Sequence, residues 1–256
     1  MKVTYALITG ASGGIGLELA LLFARDGHNL ILVARQKNKL QQIADNFEKD
    51  YKIKVLVIPE DLSTADAAGI IFRKVKEKSI TVNYLVNNAG FYVKGAFSDT
   101  SWENEQRLIQ LQCLTHTQLT KLFLPEMLRQ RKGGILNIGS TGSFVPGPFN
   151  AVYCAAKSFV LSFSEALTEE VSGSGITVTA LCPGGTKTAF QDFKHRKTSF
   201  FFPAMEASKV AKIGYKALMK GKRVVIPGIT NKIQVMLIRF IPGRLTARLT
   251  GSLITD

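Results

Sequence analysis

The sequence predicts an α/β fold built on a doubly wound, mostly parallel sheet. Three observations carry this expectation. Apolar runs of strand length alternate with stretches of helical period along most of the chain. The first run ends in a Gly-rich turn that opens directly into the first helix. The intervals between runs leave room for a helix each time, as right-handed parallel crossovers require.

Tyr5-Ala6-Leu7-Ile8 is the first strand, and Thr9-Gly10-Ala11-Ser12-Gly13-Gly14-Ile15-Gly16 follows it. Leu17, Leu19, Ala20, Leu21, Phe23 and Ala24 then repeat at helical spacing. Glycines placed between a strand and a helix let the backbone approach a phosphate held at the helix N-terminus. The spacing is Gly-x-x-x-Gly-x-Gly rather than the commoner Gly-x-Gly-x-x-Gly. The second strand, Asn29 to Ala34, runs straight into Arg35. In dinucleotide folds this strand end meets the adenosine ribose, where Asp or Glu holds the 2′-hydroxyl of NAD. Arg35 stands there instead, with Lys37 and Lys39 nearby and no acid until Asp45. A cation at this point pairs with a 2′-phosphate, so NADP(H) is expected in preference to NAD(H). The plainer alternative is that Arg35 opens a solvated helix.

A polar helix from about Gln36 to Asp50 leads to a third strand, Lys54 to Ile58, which ends at Asp61-Leu62. The next helix, through Lys78, buries Ile70, Ile71 and Val75. The fourth strand, Tyr84 to Val86, precedes Asn87-Asn88-Ala89-Gly90. One long helix is expected over 101–131, with Ser101 as its cap, and the fifth strand is Gly134 to Ile138. Gly and Pro break the chain after Ser140, and a helix spans 150–171. On it Tyr153 and Lys157 lie one turn apart on the same face. A phenol beside a charged ammonium gives up its proton more easily than a free one. With the Ser140 hydroxyl at the neighbouring strand end, the parts of a proton-donating site are present. Ser143 is at most a secondary substrate contact.

The sixth strand, Ile176 to Leu181, ends at Pro183-Gly184-Gly185-Thr186. Residues 187–205 have no period but carry Phe190, Phe193, Phe200, Phe201 and Phe202. A lid over the site is favoured there over plain core, and it suggests an apolar substrate. A short helix (Ser208 to Lys220) and a strand (Val224 to Ile226) lead to a basic, apolar tail over 229–256. In that tail Ile233, Met236, Leu237, Phe240 and Ile241 share one helical face, with Lys232, Arg239, Arg244 and Arg248 around them. Such a helix can lie at an anionic membrane surface. Packing on its own domain or on another subunit is the favoured alternative.

Composition sets the class. With 46% hydrophobic and 20% charged residues the chain is a globular protein, and no linker or repeat divides 1–256, so one domain is expected. Lys and Arg number 33 against 19 Asp and Glu, and ten of those cations lie between Glu206 and Asp256 against two acids. The basic residues form no aromatic-interleaved groove, which argues against nucleic acid; an anionic cofactor accounts for part of the charge. Cys113, Cys154 and Cys182 have no metal-ligand spacing and read as buried free thiols. With no signal peptide or membrane-length apolar run in view, a cytoplasmic setting is expected.

Thr9-Gly10-x-x-x-Gly14-x-Gly16, Asn87-Asn88-Ala89-Gly90, Ser140, Tyr153-x-x-x-Lys157 and Pro183-Gly184 occur together and in order. In this the chain resembles the short-chain dehydrogenase/reductase family over essentially its first 190 residues. The stretch Lys220 to Gly228 is further similar to a bacterial subgroup often labelled DltE-like. The resemblance implies a Rossmann-type sheet of about seven strands and hydride transfer between a nicotinamide and a carbonyl or alcohol carbon. It implies Tyr153 as the acid–base, Lys157 as the ribose ligand that depresses the phenol, and Ser140 as the carbonyl contact. Gly10, Ser12, Ile15 and Gly16 would line the pyrophosphate turn. Asp61 and Leu62 would reach the adenine, and Asn88, Ala89 and Gly90 the ribose region. Thr186 and Thr188, just past Pro183 and Gly184, would hold the carboxamide.

Gln112 stands where the family usually has an Asn that links the lysine to solvent through a water. Its amide can hold that water or displace it. His116, four residues on, reads as a helix or interface histidine. The helices over 101–131 and 150–171 suit a homodimer or homotetramer interface, as in many relatives. The rival reading is a non-catalytic NADP(H)-binding regulator or scaffold with the same fold.

Overall fold

The computed structural model describes residues 4–188 and 204–255. Its strands follow the apolar runs: β1 (Tyr5–Thr9), β2 (Asn29–Ala34), β3 (Val55–Pro59), β4 (Val82–Asn87), β5 (Gly133–Ile138), β6 (Ile176–Leu181) and, further on, β9 (Val224–Val225). They form one seven-stranded sheet in the order β3-β2-β1-β4-β5-β6-β9, and every pairing is parallel. The order reverses between β1 and β4, and in open α/β sheets that reversal opens a crevice at the strand carboxyl ends. A second, two-stranded parallel ladder joins β7 (Thr186–Lys187) to β8 (Met205–Glu206), pairing Thr186 with Met205 and Lys187 with Glu206. Its short strands were not expected from the sequence. The predicted phenylalanine lid, Phe190 to Phe202, lies outside the described residues.

Strand alternation sends side chains to two cores. Ala6 and Ile8 face one side of the sheet and Leu7 the other; Leu30 and Leu32 separate from Ile31 and Val33 in the same way. The first core is covered by α1 (Gly14–Arg25), α2 (Lys37–Tyr51) and α7 (Ala207–Met219), through Leu19, Phe23, Leu40, Val210 and Leu218. The second is covered by α3 (Ala67–Glu77), α5 (His116–Gln130) and α6 (Ala151–Glu170), through Ile71, Leu119, Phe123 and Leu167. Each such side chain taken out of water contributes about 1.5–3 kcal/mol. That burial holds the sheet rigid under the site.

Two expectations about helices change. The helix expected over 101–131 has three parts. α4 (Trp102–Ile109) is capped by the Ser101 hydroxyl, which accepts from the Asn104 N–H at 3.2 Å. A π-helical stretch follows over Gln110–Thr115, and α5 continues from it. The inserted residue rotates everything downstream by roughly a third of a turn. The tail is also two helices, α8 (Ile229–Ile238) and α9 (Gly243–Thr255), because Pro242 cannot continue the first. Asn231 and Val235 of α8 are buried, whereas Ile233, Met236, Leu237 and Phe240 point outward. The apolar face, expected to pack on its own domain or on another subunit, is therefore turned away from its own domain.

Candidate active site

One cleft of about 1140 Å³ runs along the carboxyl ends of the strands. That exceeds the usual span of a single small-ligand pocket, roughly 300–1,000 Å³, and has room for two ligands side by side. Every residue named above for cofactor binding or catalysis lines it, except Gly16 and Gln112, which stand behind its wall.

The turn between β1 and α1 forms one end. Gly10 and Gly14 adopt left-handed backbone, φ +66° and +54°, which side chains rarely follow. Gly16 is required for packing: a Cβ there would sit 2.3 Å from the Gly10 carbonyl oxygen and 2.5 Å from Asn88 Nδ2. The first N–H groups of α1 have no helical acceptor, its N-cap Gly13 offers no side-chain cap, and its first turn holds no acid. This is an anion cradle at the positive end of a helix dipole, and a dinucleotide pyrophosphate fits it. Thr188 closes over the turn, since a Cβ on Gly14 would meet its methyl at 2.9 Å.

The exposed Arg35 and Lys39 flank the cradle at the end of β2. Asp61 lies opposite. Partial burial raises its carboxyl, but the Ser63 hydroxyl and amide, then Arg107 and Arg35, outweigh that and hold it below the usual carboxylate range. The Thr115 hydroxyl donates to the Leu62 carbonyl at 2.9 Å, fixing the adjoining wall.

Asn87 and Asn88 do structural work. The Thr9 hydroxyl donates to the Val86 carbonyl and accepts from the amides of Asn88 and Ala89. The Asn88 side chain donates to the carbonyls of Thr9 and Gly10, so only its remaining surface faces the cleft. Asn87 Nδ2 donates to Asn137 Oδ1 at 3.0 Å, and Asn137 Nδ2 to Ser164 Oγ at 2.9 Å, a buried polar seam beneath β4 and β5.

Across the cleft, Ser140 caps a 3-10 turn over Thr141–Phe144. Its hydroxyl accepts from the Gly142 amide and shares a side-chain hydrogen bond with the Tyr153 phenol. Ser143 is no substrate contact: it is buried, its hydroxyl accepts from the Ser140 amide, and its carbonyl accepts from Ser158. Lys157 is buried on α6, its ammonium donating to the Ile138 carbonyl at 2.8 Å and lying 5.7 Å from the Tyr153 ring centre. Burial lowers the Lys157 ammonium to about 8. Burial also pushes the Tyr153 phenol up to about 12, against the pull of Ser140. The expected depression of the phenol by Lys157 is thus absent. Enclosure outweighs a cation that is itself spent on a carbonyl.

The π-helical turn places Gln112 behind Gly90. Its Nε2 donates to the Phe91 carbonyl at 2.6 Å, leaving Oε1 buried and without a protein partner. A Cβ on Gly90 would meet that oxygen at 3.5 Å and Lys157 Nζ at 3.7 Å. His116 turns inward too, rather than to an interface. It is buried against Phe163, its Nε2 is unpartnered, and burial followed by the Lys157 charge lowers it to about 3, with Asn137 opposing. Asn231, Gln234, Ile238 and Thr250 of the tail helices also line the cleft, unforeseen from the sequence. For Asn231 and Gln234 the signal was the polar side of α8, opposite its apolar stripe.

Beside this geometry, the family model of the short chain dehydrogenases matches residues 4–199. The chain is a short-chain dehydrogenase/reductase. Among members of that family it is 34% identical, over 78% of its own length, to a very-long-chain 3-oxoacyl-CoA reductase of Pyrenophora tritici-repentis. The match covers 59% of that relative, so this chain corresponds to about three fifths of it. It is 33% identical to the 17-beta-hydroxysteroid dehydrogenase type 3 of Mus musculus, over 90% of this chain and 76% of that one. Among solved members, the short-chain dehydrogenase of Sphingobium yanoikuyae in complex with NADPH superposes with a TM-score of 0.82 at 30% identity, covering 94% of this chain and 96% of the other.

Proposed function

We propose that this short-chain dehydrogenase/reductase is an NADP(H)-dependent reductase of apolar ketones, with Tyr153 as its acid. The observation that carries the reading is the enclosed phenol of Tyr153, bonded to Ser140 and held protonated with a pKa of about 12, on the cleft that begins at the α1 cradle. When bound, NADP(H) supplies or accepts the hydride. Ser140 Oγ orients the substrate carbonyl, and Tyr153 Oη holds the proton that the nascent alkoxide takes up. Lys157 holds the cofactor ribose and passes protons toward Tyr153, with Gln112 Oε1 and His116 Nε2 as unpartnered acceptors behind it. Arg35 and Lys39 pair with a 2′-phosphate. Gly10, Ser12 and Ile15 meet the pyrophosphate; Thr186 and Thr188 hold the carboxamide. Phe91, Tyr92, Val145 and Ile238 give the substrate end an apolar lining, and the similarity to a very-long-chain 3-oxoacyl-CoA reductase and a 17-beta-hydroxysteroid dehydrogenase supports an apolar substrate.

The test is NADPH depletion against a panel of ketones, with wild type and Tyr153→Phe side by side. Tyr153→Phe is expected to lower kcat by roughly a hundred- to ten-thousandfold while leaving NADPH binding near wild type. Retention of most activity would remove Tyr153 from the role of acid. A wild type that binds NADPH but turns over no ketone or alcohol would favour the regulator reading.

A further inference from the structure

We infer that α8 and α9 form a docking surface for an anionic lipid bilayer, set beside the mouth of the cleft. The inference stands apart from the reductase reading. Half of the large apolar side chains exposed among the described residues fall between Ile229 and Leu249. On α8, Ile229, Ile233, Met236 and Leu237, with Phe240 just past its end, recur at helical spacing and are 46–83% exposed. On α9, Leu245 and Leu249 continue the patch. Single exposed apolar residues are ordinary, but a contiguous stripe marks an interaction surface.

The opposite side of the same helices explains why the stripe points outward. Asn231 is buried with its amide donating to the Pro227 carbonyl at 2.7 Å and its side chain against Gly184. Val235 and Thr246 are buried, and Gly251 lies against Pro148. The helix pair is thus seated on the rim of the site by its polar and small residues. Nothing on that side can accept the apolar stripe without unseating Asn231.

Charge identifies the occupant. Lys232, Arg239, Arg244 and Arg248 are all exposed around the stripe, and none forms an ion pair among the described residues. The sequence holds no acid from Ile229 to Thr255. A second copy pairing this face with itself would set four cations against four with nothing to neutralise them. An anionic lipid surface supplies the opposite charge, and its acyl region takes Met236, Leu237 and Phe240. No helix among the described residues is long and apolar enough to cross a membrane, and an amphipathic pair of this kind lies in the surface plane. Because Gln234 and Ile238 of α8 line the cleft, docking would bring its mouth to the lipid boundary; that last step rests on the reductase reading.

The test is co-sedimentation of the whole protein with phosphatidylcholine vesicles, with and without phosphatidylglycerol, at low and high salt. Binding to the anionic vesicles at low salt, weakened by salt, is expected. Arg244→Gln with Arg248→Gln should weaken it about thirtyfold, the fold-change that about 1 kcal/mol for each cation removed near the surface corresponds to. Met236→Gln with Phe240→Gln should weaken it as well. Neither pair touches the catalytic groups, so turnover of a water-soluble ketone should stay at the wild-type rate. No binding to anionic vesicles at low salt would overturn the proposal, as would binding that both variants retain. Self-association abolished by the same variants, without vesicle binding, would make the face a subunit contact and overturn it too.

Discussion

His116 shows at the residue scale how neighbours set chemistry. Lys157 from α6 and Asn137 from β5 face it, and Phe163 covers it edge-on. Its folded pKa of about 3 lies below the ordinary 6.5. As pH falls, the unfolded chain therefore binds the proton first. The stability that neutral His116 confers is complete above pH 6.5 and drains away toward pH 3. Across that window the slope is about 1.4 kcal/mol per pH unit. His116→Gln should flatten the acid limb of stability by one proton, read from urea midpoints between those pH values; an unchanged limb would place the proton on another group. The residue types of the site were legible in the sequence, because Ser140, Tyr153 and Lys157 need only one strand end and one helical turn to meet. The direction of the Tyr153 shift was not, because burial is a property of the assembled cleft.

At the scale of elements, the strands were legible almost to the residue, since β1, β2, β4, β5 and β6 are largely buried on both faces and only β3 and the short β9 are mostly half-buried. The long helix over 101–131 was legible in extent but not in phase. A π-helical turn costs one extra residue and carries no compositional mark, so the inward swing of Gln112 and His116 had no signal in the residue pattern. The glycine turn makes a sharper prediction. Gly16→Ala would push a methyl into the Gly10 carbonyl, and it should cost at least about 2 kcal/mol in urea unfolding and weaken NADPH binding. Gly13→Ala is the control: its backbone is extended, φ 177°, and its nearest neighbour would be Lys39 Nζ at 4.0 Å. That change should lie within about 0.5 kcal/mol of wild type. Equal losses in both variants would mean the turn yields as a unit.

At the scale of the whole molecule, the net charge of +14 favours anionic partners. The sequence divided that charge between cofactor and tail, but it could not say which way the tail faced, since an amphipathic stripe reads the same whether packed or bare. Cofactor choice is a whole-molecule prediction because binding reports on global unfolding. At a hundred times its Kd a ligand adds about 2.7 kcal/mol to stability. NADPH should therefore raise the Tm of the wild type more than NADH at equal concentration, and Arg35→Asp should reverse that ranking. A ranking unmoved in Arg35→Asp would take the 2′-phosphate away from Arg35.

The ladder of β7 and β8 has a consequence for how such a protein changes over time. Thr186 pairs with Met205 and Lys187 with Glu206, so the connection between them leaves and re-enters the structure at neighbouring points. The Lys187 ammonium donates to the Glu206 carboxylate at 2.7 Å and fastens the same junction from outside. A change of sequence between these two anchors therefore leaves Thr186, Lys187, Met205 and Glu206 to hold the flanking strands in register.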